Sequence, residues 1–313
     1  KILQIYSNLE YICKIIDNLQ LKIINNTMQT FHTDTATLHF SKMGSGQPLL
    51  FIPGSISDHR TWTNIQYKFT ENYECYNISR RFQYPGSYPD GGDSSVHANT
   101  SDIAHFMNEK KLSPAIIVGH SFGGFIALNI AIQFPELVKC LVVEEPIFAP
   151  ALAKNPKNPL ELLSLMFKNF KAGKSFARLG MKGIEPTFKS LAKGDTETAQ
   201  KTFIDGVTDG KKTPDTLDEL SRIQLADNIA SLAGEDPFIN TIKMDDLKKI
   251  KCPVLLISGT ESPYAFQYIN EQLKKCLSQA QLISFNTAGH WVHIDQADRY
   301  VNEIKSFLRQ QHI

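Results

Sequence analysis

Short apolar runs alternate with amphipathic stretches along most of the chain, a pattern typical of an α/β fold. Buried strands are predicted where such runs lie between turn signals, at 49–52, 74–79, 115–118, 139–143, 253–258 and 280–285. Helices are predicted between them, at 59–72, 97–110, 125–131 and 295–311. Because helices separate these strands, we expect a mostly parallel sheet with helices on both faces.

Near the start of this pattern, the sequence favours one antiparallel pair. Residues 35–43 read as a strand, and Gly44-Ser45-Gly46 separates them from the strand at 49–52. A short connection that contains glycine is typical of a hairpin. The pattern therefore predicts that these two strands pair with each other.

The strand rhythm stops between residues 147 and 249. Apolar side chains recur there at helical spacing, as at Leu160, Leu163, Met166, Phe167 and Phe170. Glycines punctuate the segment. We therefore predict an α/β core formed by 28–146 and 250–313, with an inserted helical cap, or lid, at 147–249. Most Met and Phe side chains of the cap are expected to pack rather than to contact a substrate.

Residues 1–27 stand apart from this organisation. Apolar residues repeat every three or four positions, at Ile2, Ile5, Leu9, Ile12, Ile16 and Leu19, which indicates an amphipathic helix. The continuous apolar core of a signal peptide is missing. Two interpretations stay open: the segment packs on the domain or a partner, or the native chain begins at Met28.

The strongest chemical signal is Gly119-His120-Ser121-Phe122-Gly123, set between the strand at 115–118 and a helical pattern. A serine between two glycines at a strand-to-helix junction is typical of a nucleophile elbow. The turn crowds the backbone, so the flanking positions need residues without a Cβ. The sequence thus predicts Ser121 as an exposed nucleophile and His120 as a packing residue that points away.

A serine hydroxyl needs a base, and His290 is the best placed of the nine histidines. It follows the last predicted strand and precedes the final helix, on a loop that can reach Ser121. Trp291 and His293 are expected to cover the site beside it. We expect the pKa of His290 to be near the ordinary value of about 6.5, or somewhat higher beside a carboxylate.

The third member of such a triad is a carboxylate that orients the imidazole. Glu144 and Glu145 follow the strand at 139–143, and Glu261 follows the strand at 253–258. Alternation along a strand puts Glu144 and Glu145 on opposite faces, so only one of them can reach the site. Glu145 is preferred because its strand should lie beside that of the elbow, with Glu261 second and Glu144 third.

An oxyanion hole needs two N–H donors. The first is predicted to be the N–H of Phe122, directly after the nucleophile, and the second that of Ser55, in the loop after the strand at 49–52. Arg80 and Arg81 follow the next strand. A solvated edge or a salt bridge to Asp58 or Asp102 is preferred for them over anchoring of the oxyanion loop.

Composition narrows the possible partners, cofactors and cellular location of the protein. The formal net charge of +1 favours neither nucleic acid nor an anionic membrane, and no window has the length of a transmembrane span. Scattered cysteines predict a reduced, cytoplasmic protein; they are Cys13, Cys75, Cys140, Cys252 and Cys276. Neither a phosphate loop nor a metal-like histidine pair occurs in the sequence, so no cofactor or metal is expected. A small-molecule substrate is expected, and the oligomeric state is not encoded in any pattern.

These motifs together resemble the α/β-hydrolase fold from about Phe31 to the C-terminus. The resemblance is carried by 53–55 with 58–62, the elbow at 119–124, the segment 259–263, and Gly289-His290-Trp291. Many members of that family have His-Gly where this chain has Pro53-Gly54, and an acid where it has Ser262. The segment 138–145 resembles the place where haloalkane dehalogenases keep a catalytic Glu, and it aligns on Glu145. Those enzymes use an Asp nucleophile, so Ser121 implies ester chemistry instead.

The expected activity is therefore hydrolysis of a carboxylic ester or lactone through an acyl-enzyme, with a Ser121–His290–Glu145 triad. One alternative keeps the triad for hydrolysis of a C–C bond, acyl transfer or a lyase reaction. The other is a ligand receptor that uses the same pocket with little turnover, because fold alone does not transfer function.

Overall fold

The computed structural model describes residues 28–155, 158–235 and 242–313. Its strands are β1 Gln29–His32, β2 Thr37–Met43, β3 Gln47–Ile52, β4 Tyr73–Ser79, β5 Ala115–His120, β6 Val138–Glu144, β7 Val254–Gly259 and β8 Ala280–Phe285. They form one sheet in the order β1-β2-β4-β3-β5-β6-β7-β8. Pairing is antiparallel for β1 with β2 and β2 with β4, and parallel from β4 to β8. The predicted mostly parallel sheet is confirmed.

The α-helices of the described ranges are α1 Thr63–Gln66, α2 Val96–Glu109, α3 Phe122–Gln133, α4 Pro159–Lys168, α5 Phe170–Arg178, α6 Glu185–Leu191, α7 Thr196–Thr208, α8 Glu219–Asn228, α9 Tyr264–Cys276, α10 Val292–Asp295 and α11 Ala297–Gln310. Shorter 3-10 turns lie at His59–Trp62, Pro135–Leu137, Ala149–Ala151, Pro214–Thr216, Ile229–Gly234 and Met244–Lys249, and a π-helical turn at Leu179–Ile184. The helix predicted at 59–72 is thus reduced to a 3-10 turn and α1.

The predicted hairpin of β2 and β3 is wrong. β4 lies between these strands, antiparallel to β2 and parallel to β3. The glycine turn packs against the start of β4 instead of closing a two-stranded ribbon, since a Cβ on Gly44 would lie 2.4 Å from the carbonyl oxygen of Tyr73. β3 is therefore flanked on both sides by parallel strands, which suits an apolar strand that is buried on both faces.

Apolar side chains cover both faces of the sheet. On one face, Ile117 and Leu256 pack with Phe125 of α3 and Phe266 of α9. On the other face, Val118 and Ile257 belong to a second cluster with aromatic side chains of the flanking helices, such as Trp62 and Tyr300. This double burial holds the carboxyl ends of the parallel strands at fixed positions along one edge.

The segment between β6 and β7 contains helices and turns but no strand in its described residues, which run to 155, from 158 to 235 and from 242. It includes α4 to α8 and lies at the carboxyl edge of the sheet. Ligands of open α/β sheets bind at that edge, where the strand order reverses. In this sheet the reversal falls between β3 and β5, next to the elbow. No helix within the described residues has both the length and the apolar character that crossing a bilayer requires.

Candidate active site

Ser121 occupies the sharp turn between β5 and α3, with φ 51° and ψ −115°. Such a backbone is strained for a residue with a side chain, and strain of this kind is concentrated at functional sites. A Cβ on Gly119 would lie 2.5 Å from the carbonyl oxygen of Gly123, and a Cβ on Gly123 would lie 2.3 Å from that of Ile52. Both glycines are therefore required by close backbone approach, as the sequence predicts.

Glu145 lies at the end of β6 with φ 47°, fully buried. One carboxylate oxygen accepts hydrogen bonds from the Ser258 hydroxyl at 2.8 Å and the Gly259 N–H at 2.9 Å. The other accepts a hydrogen bond from the Ser262 hydroxyl and lies 3.5 Å from Nδ1 of His290. Catalytic hydrogen bonds are often this long before substrate binds. Among the three candidate acids, this arrangement favours Glu145.

The other two candidate acids face elsewhere. Glu261 is exposed and forms an ion pair with Lys211 at 2.5 Å. Glu144 points to the opposite side of β6 from Glu145, as strand alternation predicts, and its carboxylate lies 2.9 Å from Nδ1 of His293. Neither carboxylate is hydrogen-bonded to His290 in the structure.

Burial governs the charge of the Glu145–His290 pair. It raises the pKa of Glu145 to about 8, although the hydrogen bonds from Ser262, Gly259 and Ser258 oppose the shift. It also lowers the pKa of His290 to about 3. The expected value near or above 6.5 is thus wrong for His290, because the imidazole is almost completely removed from water. The ring consequently stays neutral, the form that a general base requires.

Glu144 and His293 form a second buried pair behind the site. Burial by itself opposes ionisation of Glu144, but electrostatic interactions with the His293 and His120 rings and the hydrogen bonds from His293 outweigh it and lower the pKa of this carboxyl. The far nitrogen of His293 lies 3.0 Å from the Thr61 hydroxyl. His293 is therefore a buried structural residue, and the expectation that it covers the site is wrong.

His120 connects this buried pair to the loop that carries His290. Its Nε2 lies 2.9 Å from the backbone carbonyl oxygen of His290, and burial lowers its pKa, which keeps the ring neutral. The ligand-type atoms of His120, Glu144 and His293 lie within 4.8 Å of one another, a spacing compatible with a metal ion. Both nitrogens of His293 already have hydrogen-bond partners, however, so the geometry favours a hydrogen-bond network that holds the His290 loop.

Arg80 anchors the loop that carries the second predicted oxyanion donor. Its guanidinium donates to the carbonyl oxygens of Pro53 at 3.1 Å and Gly54 at 2.9 Å, and pairs with Glu235 at 2.7 Å. Because the C=O and N–H of a trans peptide point in opposite directions, the Ser55 N–H faces away from Arg80. The sequence favours a solvated edge or a salt bridge for both arginines. Arg80 instead anchors this loop, whereas Arg81 forms the expected salt bridge to Asp102 at 2.7 Å.

A small cavity of about 30 Å³ is lined by Ser121 and Ser55. Apart from these two serines and Glu235, its walls are apolar. Residues 147–249 contribute Ile147, Leu179, Ile184, Phe188, Phe203, Val207 and Leu232, and α9 adds Phe266. The Phe266 ring also lies 4.2 Å, centroid to centroid, from that of His290. The predicted base therefore borders the same region as the predicted nucleophile.

Sequence reasoning missed the residues that hold the predicted ones. Ser258 and Ser262 position Glu145, and the signal was present, because Ser262 stands where many relatives of the resembled family have the acid. Arg80 and Glu235 are 155 positions apart, so no local pattern could pair them.

Four described cysteines are free thiols, namely Cys75, Cys140, Cys252 and Cys276.

Comparison with known proteins identifies the fold family. A family model described as the alpha/beta hydrolase fold matches residues 47–297. An sn-1-specific diacylglycerol lipase of Mus musculus, ABHD11, is 26% identical over 223 residues, which are 71% of this chain and 68% of that protein. A putative esterase/lipase of Haemophilus influenzae is 24% identical over 273 residues, 84% of this chain and 83% of its own.

Solved structures show the same fold. The carboxylesterase CesB (YbfK) of Bacillus subtilis superposes with a TM-score of 0.67 at 19% identity, covering 93% of this chain and 95% of that one. MenH from S. aureus superposes with a TM-score of 0.63 at 18% identity, over 88% and 99% of the two chains. With the family model matched over most of its length, the chain belongs to the α/β-hydrolase fold family.

Proposed function

We propose that this protein is a serine hydrolase that cleaves a carboxylic ester or lactone through an acyl-enzyme. The observation that carries the proposal is the strained Ser121 at the start of α3, beside an apolar cavity. Phe266 lines this cavity and also contacts the ring of His290, which is paired with Glu145. The relatives named as lipases or esterases support the same class of reaction. No cofactor or metal is part of the proposed chemistry.

In the first half-reaction, Oγ of Ser121 attacks the substrate carbonyl carbon while His290 takes the hydroxyl proton. The carbonyl oxygen becomes an oxyanion that accepts hydrogen bonds from the N–H groups of Phe122 and Ser55. Loss of one such donor typically costs about 2.7–4 kcal/mol of transition-state stabilisation. The intermediate collapses as His290 gives the proton to the leaving alkoxide oxygen, so an alcohol departs and the acyl group stays on Ser121.

In the second half-reaction, water replaces the alcohol. His290 takes a proton from the attacking water, and the second tetrahedral intermediate collapses to release the carboxylic acid and return the proton to Ser121. Glu145 orients the imidazole and stabilises its cation in both halves. Ionisation of Glu145 is therefore part of the active state.

The cavity indicates which side of the substrate is recognised. An acyl group placed against Ser121 would meet apolar walls contributed mainly by residues 147–249, so an apolar acyl chain fits better than a charged one. In this role residues 147–249 act as the cap that selects the substrate. Phe203→Ala should enlarge the cavity and move the preferred chain length of p-nitrophenyl esters upward, with the acetate ester changed least.

Labelling with a fluorophosphonate tests the nucleophile. The wild type should react covalently at Ser121 and hydrolyse p-nitrophenyl esters, whereas Ser121→Ala should lose both properties with a nearly unchanged melting temperature. Full esterase activity in Ser121→Ala would refute the proposal. Labelling of Ser121 without turnover of any ester would instead favour C–C bond hydrolysis or a receptor that shares the pocket.

A further inference from the structure

Helices α4 and α5 carry a stripe of large apolar side chains that points outward. The exposed fractions are 71% for Leu160, 48% for Leu163, 84% for Phe167 and 67% for Phe170, and Met181 in the following π-helical turn is 62% exposed. Leu160, Leu163 and Phe167 lie at helical spacing on one side of α4. We call these five residues the α4–α5 face.

The inner sides of both helices already have partners. Leu165 of α4 and Ala172 and Phe176 of α5 are buried in the main core. Asn169 ends α4 and caps α5 by accepting a hydrogen bond from the Ala172 N–H at 3.0 Å. Phe167 and Phe170 lie on either side of this corner between the two helices, and both are exposed. The two helices thus pack on the core through one side, and the apolar stripe on the other side stays uncovered by the described residues.

Positive charge is concentrated in the part of the sequence that carries the α4–α5 face, although Arg178 within it is paired with Asp205 and Asp209. Between residues 154 and 184 the sequence has seven Lys and Arg but one acidic residue, although the whole chain has a net charge of only +1. Lys168, Lys171 and Lys174 are exposed at the corner. Within the described ranges, none of the three forms an ion pair, and Lys171 instead lies 4.0 Å from the centroid of the Tyr264 ring. The net charge of the chain conceals this basic region because acidic residues elsewhere compensate for it.

We propose that the α4–α5 face docks on an anionic lipid surface. Apolar side chains that enter the interface, with unpaired lysines beside them, are the combination that binds negatively charged bilayers. A protein partner would have to offer a groove for the apolar stripe and separate carboxylates for the lysines, whereas an anionic bilayer supplies both over any area. The docking needs no turnover at Ser121 and stands or falls independently of the proposed hydrolysis.

The position of the face relates docking to the cavity. Met181 points outward from the π-helical turn Leu179–Ile184, while Leu179 and Ile184, at the two ends of that turn, line the cavity in front of Ser121. One helical layer therefore separates the proposed lipid contact from the acyl pocket. Docking would place the cap side of the active site against the bilayer.

Vesicle co-sedimentation tests the proposal with the full chain. We expect the wild type and Ser121→Ala to partition equally onto vesicles that contain phosphatidylserine, and weakly onto phosphatidylcholine alone. The double variant Phe167→Ser/Phe170→Ser should lose at least about 10-fold in partition coefficient, because two aromatic side chains no longer enter the interface. Replacement of Lys168, Lys171 and Lys174 by Gln should cost about fivefold per lysine on phosphatidylserine vesicles only.

The matched control is Tyr67→Ser/Ile223→Ser, which removes two exposed apolar side chains outside this face. It should bind vesicles like the wild type. The phenylalanine, lysine and control variants should all keep the wild-type rate on p-nitrophenyl acetate and an unchanged melting temperature, whereas Ser121→Ala keeps only the melting temperature. Unaltered partitioning of the Phe167→Ser/Phe170→Ser variant would overturn the proposal and place any lipid contact elsewhere, for example in residues 1–27. A wild-type dimer that dissociates in this variant, without vesicle binding, would assign the face to a second copy of the chain.

Discussion

Two glutamate–histidine pairs lie on opposite sides of the end of β6, and they behave in opposite ways. Glu145 and His290 are 3.5 Å apart, and burial raises the pKa of this glutamate to about 8. Glu144 and His293 are 2.9 Å apart, and electrostatic interactions and hydrogen bonds with the neighbouring histidines lower the pKa of that glutamate. The two carboxyls are adjacent in the chain and equally buried, so their pKa values differ because their hydrogen-bond and charge partners differ.

The contrast separates a structural pair from the pair that we propose to be catalytic. His293 is enclosed by Glu144, Thr61 and the Trp62 ring, so its pair has a single satisfied arrangement. Glu145 is held mostly by hydroxyls and one N–H, which leaves the imidazole of His290 loosely engaged. In the proposed mechanism that imidazole must gain and lose a proton. Ionising the buried Glu145 for this step costs stability, and such a trade of stability for activity is common at active sites.

The largest expected effect separates the two glutamates by activity. Glu145→Gln should lower kcat of ester hydrolysis by up to about 10⁴-fold, because an amide cannot stabilise the imidazolium and its N–H favours the wrong tautomer of His290. Steady-state kinetics on a p-nitrophenyl ester measure this. Glu261→Gln is the control and should change kcat less than about threefold, since that side chain is exposed and paired with Lys211. A large loss in Glu261→Gln, with none in Glu145→Gln, would assign the acid to the strand β7.

The next effect separates the two histidines by stability. His293→Ala leaves the Glu144 carboxylate buried without its partner and should lower the free energy of unfolding by about 3–5 kcal/mol. His290→Ala should abolish hydrolysis at a much smaller cost in stability. Denaturant unfolding of both variants at neutral pH compares them. Equal destabilisation would mean that the two pairs are equivalent in the fold.

Glu144 and Glu145 should change the free energy of unfolding with pH in opposite directions. The lowered pKa of Glu144 gives stability that is present above its ordinary value of 4.5 and lost as pH falls through the lowered pKa, so the deficit of His293→Ala should shrink in acid. The raised pKa of Glu145 gives stability that is present below 4.5 and lost as pH rises through about 8. Glu145→Gln should therefore equal the wild type in acid and exceed it above pH 8.

The smallest expected effect concerns the hydroxyls that hold Glu145. Because the carboxylate form is needed, kcat should rise with pH along a limb near the apparent pKa of about 8 that burial gives Glu145. Ser262→Ala removes a hydrogen bond to the carboxylate and should move this limb upward by about one unit. A pH–rate profile of each variant measures the shift. A limb near 6.5, the ordinary value for histidine, that Ser262→Ala leaves unchanged would contradict this account of the pair.

Much of the fold and part of the candidate site could be predicted because they depend on local sequence. The parallel strands follow from apolar runs, and the elbow follows from glycines whose missing Cβ atoms allow β5 and α3 to approach. The β2–β3 hairpin was predicted wrongly, since strand order depends on which buried edge each strand reaches. The pKa of His290 was predicted in the wrong direction, because burial depends on groups far away in the chain.

By itself, the sequence determined the α/β alternation, the strained Ser121 and the three glutamates from which an acid would come. Tertiary structure alone decided which glutamate meets His290, because a reach of a few ångströms depends on φ at Glu145 and on Ser258 and Ser262 from another strand. It also decided that Arg80 anchors the loop at 53–55 and that the stripe from Leu160 to Phe167 faces outward. Periodicity defines a face of a helix, but only the packing of the whole chain determines what lies against it.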